Sequence, residues 1–173
     1  IVLTMKFIKY VFIFASFSFL VNCGEAEKKD EKKSVKIGAS KEVKKEDSNT
    51  VNIGITGNDM MQYSTKELKV KSGVEVTLTM RHIGKMDLKV MGHNFVLLKP
   101  GIEIPAFSLE AANAGESKNW IPNDGKDVIA HTKMIGGGQS TSVTFTAPAA
   151  GTYDFICSFP GHSGIMKGKF IVE

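Results

Sequence analysis

Short segments in which apolar and polar residues alternate fill the chain from Thr50 to its C-terminus. The longest covers residues 74–81, where Val, Leu and Met alternate with Glu, Thr and Arg. A period of two is the pattern of a strand with one buried face. The pattern returns, between residues typical of turns, in segments 51–55, 143–145, 153–157 and 170–172. This spacing predicts an all-β fold, an antiparallel Greek-key β-sandwich.

Residues 100–125 do not show this alternation. They include Phe-Ser-Leu-Glu-Ala-Ala at positions 107–112, a sequence with helical character. We expect an insertion between strands, with a short helix packed outside the sandwich. The length of the segment from residue 50 to residue 173 suits one domain with its own core.

The beginning of the chain has a different composition. Lys6 and Lys9 precede a short apolar run over residues 10–21. This run is shorter than the roughly 20 apolar residues that a membrane-spanning helix needs. A basic flank followed by a short apolar segment is typical of a secretory signal peptide. We therefore predict a signal peptide over residues 1–23 and export to the periplasm or cell envelope.

The apolar run ends in Leu-Val-Asn-Cys-Gly, with Cys23 as its cysteine. This segment resembles the lipobox of bacterial lipoproteins, in which the cysteine is lipidated and becomes the mature N-terminus. Asn22 departs from the small residue that usually precedes that cysteine. Two interpretations stay open: a protein anchored to the membrane through lipidated Cys23, or an ordinary signal peptide followed by an unmodified cysteine. Both predict export.

Residues 24–49 consist mainly of Lys, Glu, Asp and Ser and contain no aromatic residue. Such a segment buries too little apolar surface to offset the entropy of ordering it, so we expect a flexible tether. Its eight lysines face seven acidic residues. The charges are mixed here and nearly balanced in the domain that follows, which gives no indication of a nucleic-acid partner.

Four residues of the domain offer soft metal ligands. Cys157, His162 and Met166 lie within ten residues of one another, and His93 precedes them by more than sixty. A thiolate, two imidazoles and a thioether suit copper in both of its oxidation states. Because Cys157 closes a predicted strand and a Pro-Gly turn follows, the loop can aim its ligands at one point. We predict one copper ion per domain, with a His2Cys plane and Met166 as a weak axial ligand.

With these motifs the sequence resembles the azurins, a group within the cupredoxin family of blue copper proteins. The resemblance covers nearly the whole domain and is carried by segments 57–59, 90–94, 128–133 and 157–168. It implies a sandwich of about eight strands and a mononuclear type 1 copper site. It also implies a shuttle that passes single electrons between exported redox proteins and acts on no small-molecule substrate.

The resemblance further implies roles for residues around the ligands. The carbonyl of Gly92 is expected to be a weak axial contact of the metal, and Asn94 is expected to tie the two ligand segments together. His82 and His131 are expected outside the copper sphere, the first partly buried and the second on the surface. An apolar docking patch near His162 would comprise Met61, Met86, Met91, Phe159, Pro160 and Ile165.

The chain also departs from the azurin pattern. Azurins carry a disulfide where this sequence has Val51 and Gly73, so the crosslink is missing. Phe95 stands where azurins often have a buried tryptophan, and the only tryptophan, Trp120, lies in the insertion. No residue role is carried over to residues 100–125.

Two other functions were weighed against the electron shuttle. A nucleophilic Cys157 paired with a histidine would need a third group to orient the base, and the sequence does not offer one nearby. Ile156 and Ser158 flank Cys157, where copper enzymes of this fold place a histidine, so we expect no enzymatic activity. Binding or buffering of copper or zinc by the same ligands remains the alternative.

Overall fold

The computed structural model of the protein describes residues 49–173. The eight strands are β1 (Thr50–Gly57), β2 (Glu67–Val70), β3 (Glu75–His82), β4 (Val96–Leu98), β5 (Val128–His131), β6 (Ser140–Thr146), β7 (Gly151–Ile156) and β8 (Lys167–Val172). Two α-helices, α1 (Leu88–Met91) and α2 (Ile104–Ala114), and two short 3-10 turns complete the domain. The predicted signal peptide, with Cys23, and all but the last residue of the predicted tether lie outside the described residues. No helix in the described part of the chain is long and apolar enough to cross a membrane.

The strands form two sheets that enclose one core, as the alternation predicts. The first sheet has the order β1-β3-β6, and the second has the order β2-β8-β7-β4-β5. The structure confirms the predicted Greek-key β-sandwich, in which the pairs β1–β3 and β2–β8 are parallel and the others are antiparallel. The reason for the parallel pairs is that the chain crosses to the second sheet for β2 before it returns to the first for β3. Adjacent strands that no tight turn connects are free to run in the same direction.

The core between the sheets is built from the inward-facing residues of both. Its largest fully buried apolar side chains are Ile55, Leu78, Met80, Phe95, Leu97, Phe155, Met166 and Phe170. Burying a side chain of this size contributes about 1.5–3 kcal/mol. Cys157 and Met166 belong to the same cluster, so the predicted metal ligands are part of the core.

All three residues of β4 are apolar and buried, so the strand shows no alternation of apolar and polar residues. Leu97 belongs to the core between the sheets, while Val96 and Leu98 pack with Phe107 and Ala111 of α2. A strand covered on both faces loses the period-two pattern. The expected helix in the insertion is confirmed, and it extends over eleven residues.

The missing disulfide is replaced by hydrogen bonds at the start of the domain. Cys157 is a free, buried thiol. The side-chain amide of Asn49 donates to the carbonyl of Gly73 at 3.3 Å, and the carbonyl of Asn49 accepts from the amide of Glu75 at 2.8 Å. These contacts hold the beginning of β1 against the turn before β3.

Candidate metal centre

Three elements of the second sheet position the ligand residues. Cys157 directly follows β7, which pairs with both β4 and β8. His93 lies between α1 and β4, where its backbone exchanges two hydrogen bonds of 2.9 Å with Ile135. The strands on both sides of β7 thus hold the backbone leading to Cys157, and the bridge to Ile135 holds the backbone of His93.

The segment from Cys157 to Met166 is closed by its own backbone hydrogen bonds. The amide of Cys157 donates to the carbonyl of Met166 at 2.9 Å, and the amide of Met166 donates to the carbonyl of His162 at 2.8 Å. Gly161 adopts φ +82°, a left-handed conformation that favours glycine. The loop is therefore a rigid turn that holds its ligand residues together.

The structure brings His93, Cys157 and His162 into one buried group whose ligand atoms all lie within 4.8 Å of one another. The Sγ atom of Cys157 is 3.6 Å from Nδ1 of His162 and 3.9 Å from Nδ1 of His93. Bonds of about 2.3 Å to sulfur and about 2.0 Å to nitrogen, set about 120° apart, separate such ligand atoms by about 3.7 Å. The spacing thus fits a trigonal thiolate–imidazole site, and the donor set is one that copper favours.

Burial sets the protonation of this group. It raises the pKa of the Cys157 thiol to about 12, although the backbone amides of Asn94 and Phe159 oppose the shift. Burial and the neighbouring His93 lower the pKa of His162 to about 4. Burial also lowers the pKa of His93, against the effect of the Asn58 carbonyl. At neutral pH both imidazoles are neutral and able to bind a metal, whereas the thiol must lose its proton.

The orientation of His93 is fixed from the side opposite the ligand group. Its Nε2 atom lies 2.8 Å from the carbonyl oxygen of Asn58. Since Nε2–H donates there, Nδ1 carries the lone pair that faces Cys157. The ring of His82 stacks on that of His93, with centroids 4.2 Å apart and planes at 16°. His82 is fully buried, more than the sequence suggests, and its Nε2 lies 2.8 Å from the carbonyl of Met91.

His162 lies at the outer edge of the site. Its ring packs against Phe159, with centroids 4.7 Å apart, and Phe159 in turn packs against Trp120 at 5.4 Å. Nδ1 of His162 faces Cys157. Its Nε2 has no hydrogen-bond partner among the described residues, and no unpartnered polar side-chain atom in this part of the chain is fully buried. Nε2 of His162 is therefore not fully buried and reaches solvent, although the residue as a whole is only 3% exposed.

The two residues expected at the axial positions lie beside the group of His93, Cys157 and His162. The carbonyl oxygen of Gly92 is 3.7 Å from Sγ of Cys157. A side chain at position 92 would come within 3.0 Å of Leu88, Phe159 and Met134, so only glycine fits. Met166 is fully buried, and its Cε atom borders the same face of Gly57 as Cδ2 of His93 and Cε of Met80.

Residues that the sequence does not single out also support the centre. The carbonyl of Asn94 accepts a 2.5 Å hydrogen bond from the hydroxyl of Tyr63, whose pKa burial raises well above its usual value. Ser108 of α2 donates to the hydroxyl of Ser163, the neighbour of His162. Trp120, which lies in the insertion, contacts the site through Phe159. These contacts join segments far apart in sequence, and no local motif marks them.

The domain matches a known family and several characterised proteins. Residues 49–173 match the model of the copper binding proteins of the plastocyanin/azurin family. The chain is 45% identical over 120 residues to azurin-1 of Alcaligenes xylosoxydans xylosoxydans, covering 67% of this chain and 92% of the relative. Its fold is similar to auracyanin A of Chloroflexus aurantiacus, described as a "blue" copper protein, with 34% identity and a TM-score of 0.66 over 72% of this chain and 99% of that one. It is also similar to the azurin Az-iso2 of Methylomonas sp. strain J, with 37% identity and a TM-score of 0.64 over 70% and 97% of the two chains.

Proposed function

The chain belongs to the plastocyanin/azurin family of copper-binding proteins, and we propose that Met166 and Gly92 complete its copper site as weak axial ligands. The three strong ligands are His93, Cys157 and His162, and the protein transfers single electrons through the copper that they hold. The observation that carries this function is the buried group of one thiol and two imidazole nitrogens at trigonal spacing.

The protein's contribution to electron transfer is rigidity and exclusion of water. Bound copper supplies a one-electron couple between its two oxidation states. Cys157 and His93 are completely buried, and His162 is only 3% exposed. Their backbones are fixed by neighbouring strands, by Ile135 and by the hydrogen bonds of the loop. The ligands therefore have little freedom to rearrange when an electron arrives or leaves, and little rearrangement allows fast exchange.

We propose that electrons enter and leave through His162, whose Nε2 reaches solvent beside an apolar patch. Of the residues expected in this patch, Met86 and Ile165 are 43% and 56% exposed, and Pro160 is exposed as well. Met-rich apolar surfaces suit weak docking of different partners, and redox encounters bury small interfaces. The partners would be redox proteins that bind briefly and leave.

We further propose that the protein acts as a carrier and not as an enzyme. Within residues 49–173, His93, Cys157 and His162 are the one group of three or more possible metal ligands. A copper enzyme of this fold would need a second metal centre or a substrate site next to the first. The side chains around the present site are instead mainly apolar and close-packed, which supports electron exchange alone.

For the whole chain we propose three regions: a signal peptide over residues 1–23, a tether over residues 24–49 and the copper domain over residues 50–173. The basic flank and short apolar run support export, and the segment around Cys23 supports a lipid anchor in the cell envelope. A membrane-fraction assay tests the anchor. Cys23→Ser is expected to release the copper protein into the soluble fraction, and unchanged retention would rule the lipid anchor out.

Spectroscopy with copper tests the proposed function directly. The metal-free protein, loaded with one equivalent of Cu(II), should develop intense absorption at about 600 nm. Such absorption is expected when a thiolate binds copper in the trigonal site of a blue copper protein. Ascorbate should bleach the colour and an oxidant should restore it, which would demonstrate the one-electron cycle. Copper binding without the intense band would contradict the site. A blue protein that exchanges electrons slowly with every redox protein tried, yet releases copper readily to a chelator, would favour storage.

A further inference from the structure

Two lysines lie beside the ligand loop. Lys167 directly follows Met166, and in the sheet it pairs with Ile156, the residue before Cys157. Lys66 precedes β2, and its carbonyl accepts a hydrogen bond of 2.8 Å from the amide of Lys169. The pairing of β2 with β8 therefore brings both lysines to the end of the sheet that carries the copper ligands.

The lysines share one surface cleft with Ile165, a member of the apolar patch. The cleft has a volume of about 390 Å³ and is lined by Gln62, Tyr63, Lys66, Ile165 and Lys167. Ile165 is 56% exposed and donates its backbone amide to the carbonyl of His162 at 3.1 Å. The two charges are thus adjacent to the surface through which electrons are proposed to pass.

Neither charge is neutralised by a neighbouring carboxylate. Asp154 lies 2.7 Å from Lys169, and Glu67 lies 3.1 Å from Lys69, so these two acids are paired with other lysines. Among residues 49–173, no carboxylate comes within 4.0 Å of the Nζ atoms of Lys66 and Lys167. Asp154 lines a neighbouring cleft with Lys66 and Lys167, but its carboxylate pairs with Lys169, so the charges of Lys66 and Lys167 stay unpaired among the described residues.

We propose that Lys66 and Lys167 select the electron-exchange partner: a redox protein with carboxylates at the edge of an apolar docking face. This inference rests on the proposed function and adds the chemistry of the partner to it. Charges at the edge of an interface mainly raise the association rate and set the orientation, which suits a complex that must form and separate quickly. A second copy of this chain is a poor partner, because docking by the same face would bring the lysines of both copies together.

The test compares one acceptor protein in two charge states. The reduced, copper-loaded full-length protein is mixed with a c-type cytochrome in its native basic form and after succinylation of its lysines, which makes the same protein acidic. Stopped-flow absorption gives the two rate constants at low ionic strength. Their ratio is measured for the wild type and for the double variant Lys66→Gln, Lys167→Gln. The wild type and the variant react with the same two acceptors. A difference in driving force between the two cytochrome forms therefore affects both ratios equally and drops out of the comparison.

A matched control removes the same net charge at the other end of the sandwich. Lys71 follows β2 at the end remote from the ligands, and Lys126 precedes β5 at that same end. Both side chains are exposed. The double variant Lys71→Gln, Lys126→Gln should therefore behave as the wild type if the position of the charges matters.

The expected result is a ratio of acidic to basic acceptor that falls at least about threefold in the Lys66, Lys167 variant and stays near the wild-type value in the control. Raising the salt concentration should reduce the difference, since the screening length is about 10 Å at 0.1 M. The same variant should exchange electrons faster with its own oxidised form, because repulsion between the two copies decreases.

Three outcomes would overturn the proposal. The ratio could be unchanged in the Lys66, Lys167 variant, which would mean that these lysines do not select the partner. The control variant could instead change the ratio equally, which would make the net charge of the protein the cause. Alternatively, the two substitutions could weaken retention on phosphatidylglycerol vesicles at unchanged rates, which would assign the lysines to a lipid surface. The blue absorption and the reduction potential of every sample show whether the copper site itself is intact, so failure of the proposed function is seen separately.

Discussion

The side-chain amide of Asn94 joins the two ligand segments by bonding to both the backbone and the side chain of Ser158. Its Nδ2 donates to Oγ of Ser158 at 2.8 Å, and its Oδ1 accepts from the amide of Ser158 at 2.9 Å. Both residues are buried, and each directly follows a ligand of the metal. These two hydrogen bonds fix the separation of His93 and Cys157 before any metal binds. The role that the azurin resemblance implies for Asn94 is confirmed in these contacts.

Asn94→Ala should destabilise the domain by about 2–3 kcal/mol, because the amide and hydroxyl of Ser158 lose their partner inside the protein. Urea unfolding of the copper-free protein measures the loss. Asn52→Ala, an exposed position in β1, is the control and should change the free energy of unfolding by less than about 0.5 kcal/mol. Equal effects of the two substitutions would mean that the link between the ligand segments carries no special stability.

Cys157→Ser should abolish the blue colour, because an alcohol cannot replace the thiolate that produces the absorption. Visible spectra after Cu(II) loading provide the measurement. Cys23→Ser is the matched control and should stay blue, since Cys23 lies outside the domain that holds the site. A Cys157→Ser protein that remains blue would show that the thiolate ligand has been wrongly assigned.

Met166→Leu should keep the colour and raise the reduction potential, because the thioether no longer stabilises the oxidised metal. A rise of about 60 mV corresponds to a tenfold change in the one-electron equilibrium. Met80→Leu is a suitable control, as Met80 is equally buried in the same core and no ligand role is assigned to it. Cyclic voltammetry compares the three proteins. Equal reduction potentials of the wild type and the Met166→Leu protein would show that Met166 is not an axial ligand.

Copper affinity should increase with pH by about one logarithmic unit per pH unit between about pH 7 and 9, where neither ligand imidazole carries a proton because burial lowers the pKa of both. Burial raises the pKa of Cys157 to about 12, so the thiol is protonated throughout this range and releases one proton on binding. His162, with its pKa lowered to about 4, is already neutral and releases none. Competition with a chelator of known affinity gives the slope. A slope near zero would mean that Cys157 is already a thiolate without metal.

Cu(II) binding should strongly quench the fluorescence of Trp120, the single tryptophan of the chain. Its ring contacts Phe159, which packs on the ligand His162. Zn(II) at the same ligands is the control and should leave most of the emission, because it lacks the redox and absorption properties of copper. Similar losses with both metals would indicate that binding moves Trp120 and that proximity to copper is not the cause.

The ligands could be predicted from the sequence because most of them are local. Cys157, His162 and Met166 lie on one turn whose shape follows from its Pro and Gly residues, and the structure confirms that the turn is closed by its own hydrogen bonds. His93 was identified through its neighbours in a recognisable motif. The half-buried strands were predicted for the same reason, since alternation over a few residues determines which face is buried.

The sequence pattern was less informative where two distant segments meet. β4 was missed because burial on both faces removes its alternation, and the parallel pairs β1–β3 and β2–β8 have no turn to indicate their direction. The contact of Trp120 with Phe159 likewise joins the insertion to the ligand loop, and the local sequence around neither residue indicates it.

By itself the sequence determined the class of fold and the chemistry of the metal site, because residue types and short spacings carry both. Only the tertiary structure decided that Asn58 orients His93, that His82 stacks behind it, and that Lys66 and Lys167 share one cleft. Each of these relationships depends on strand order, which packing of the whole core sets. Local pattern cannot specify a contact whose two partners reach each other only after the sheets have formed.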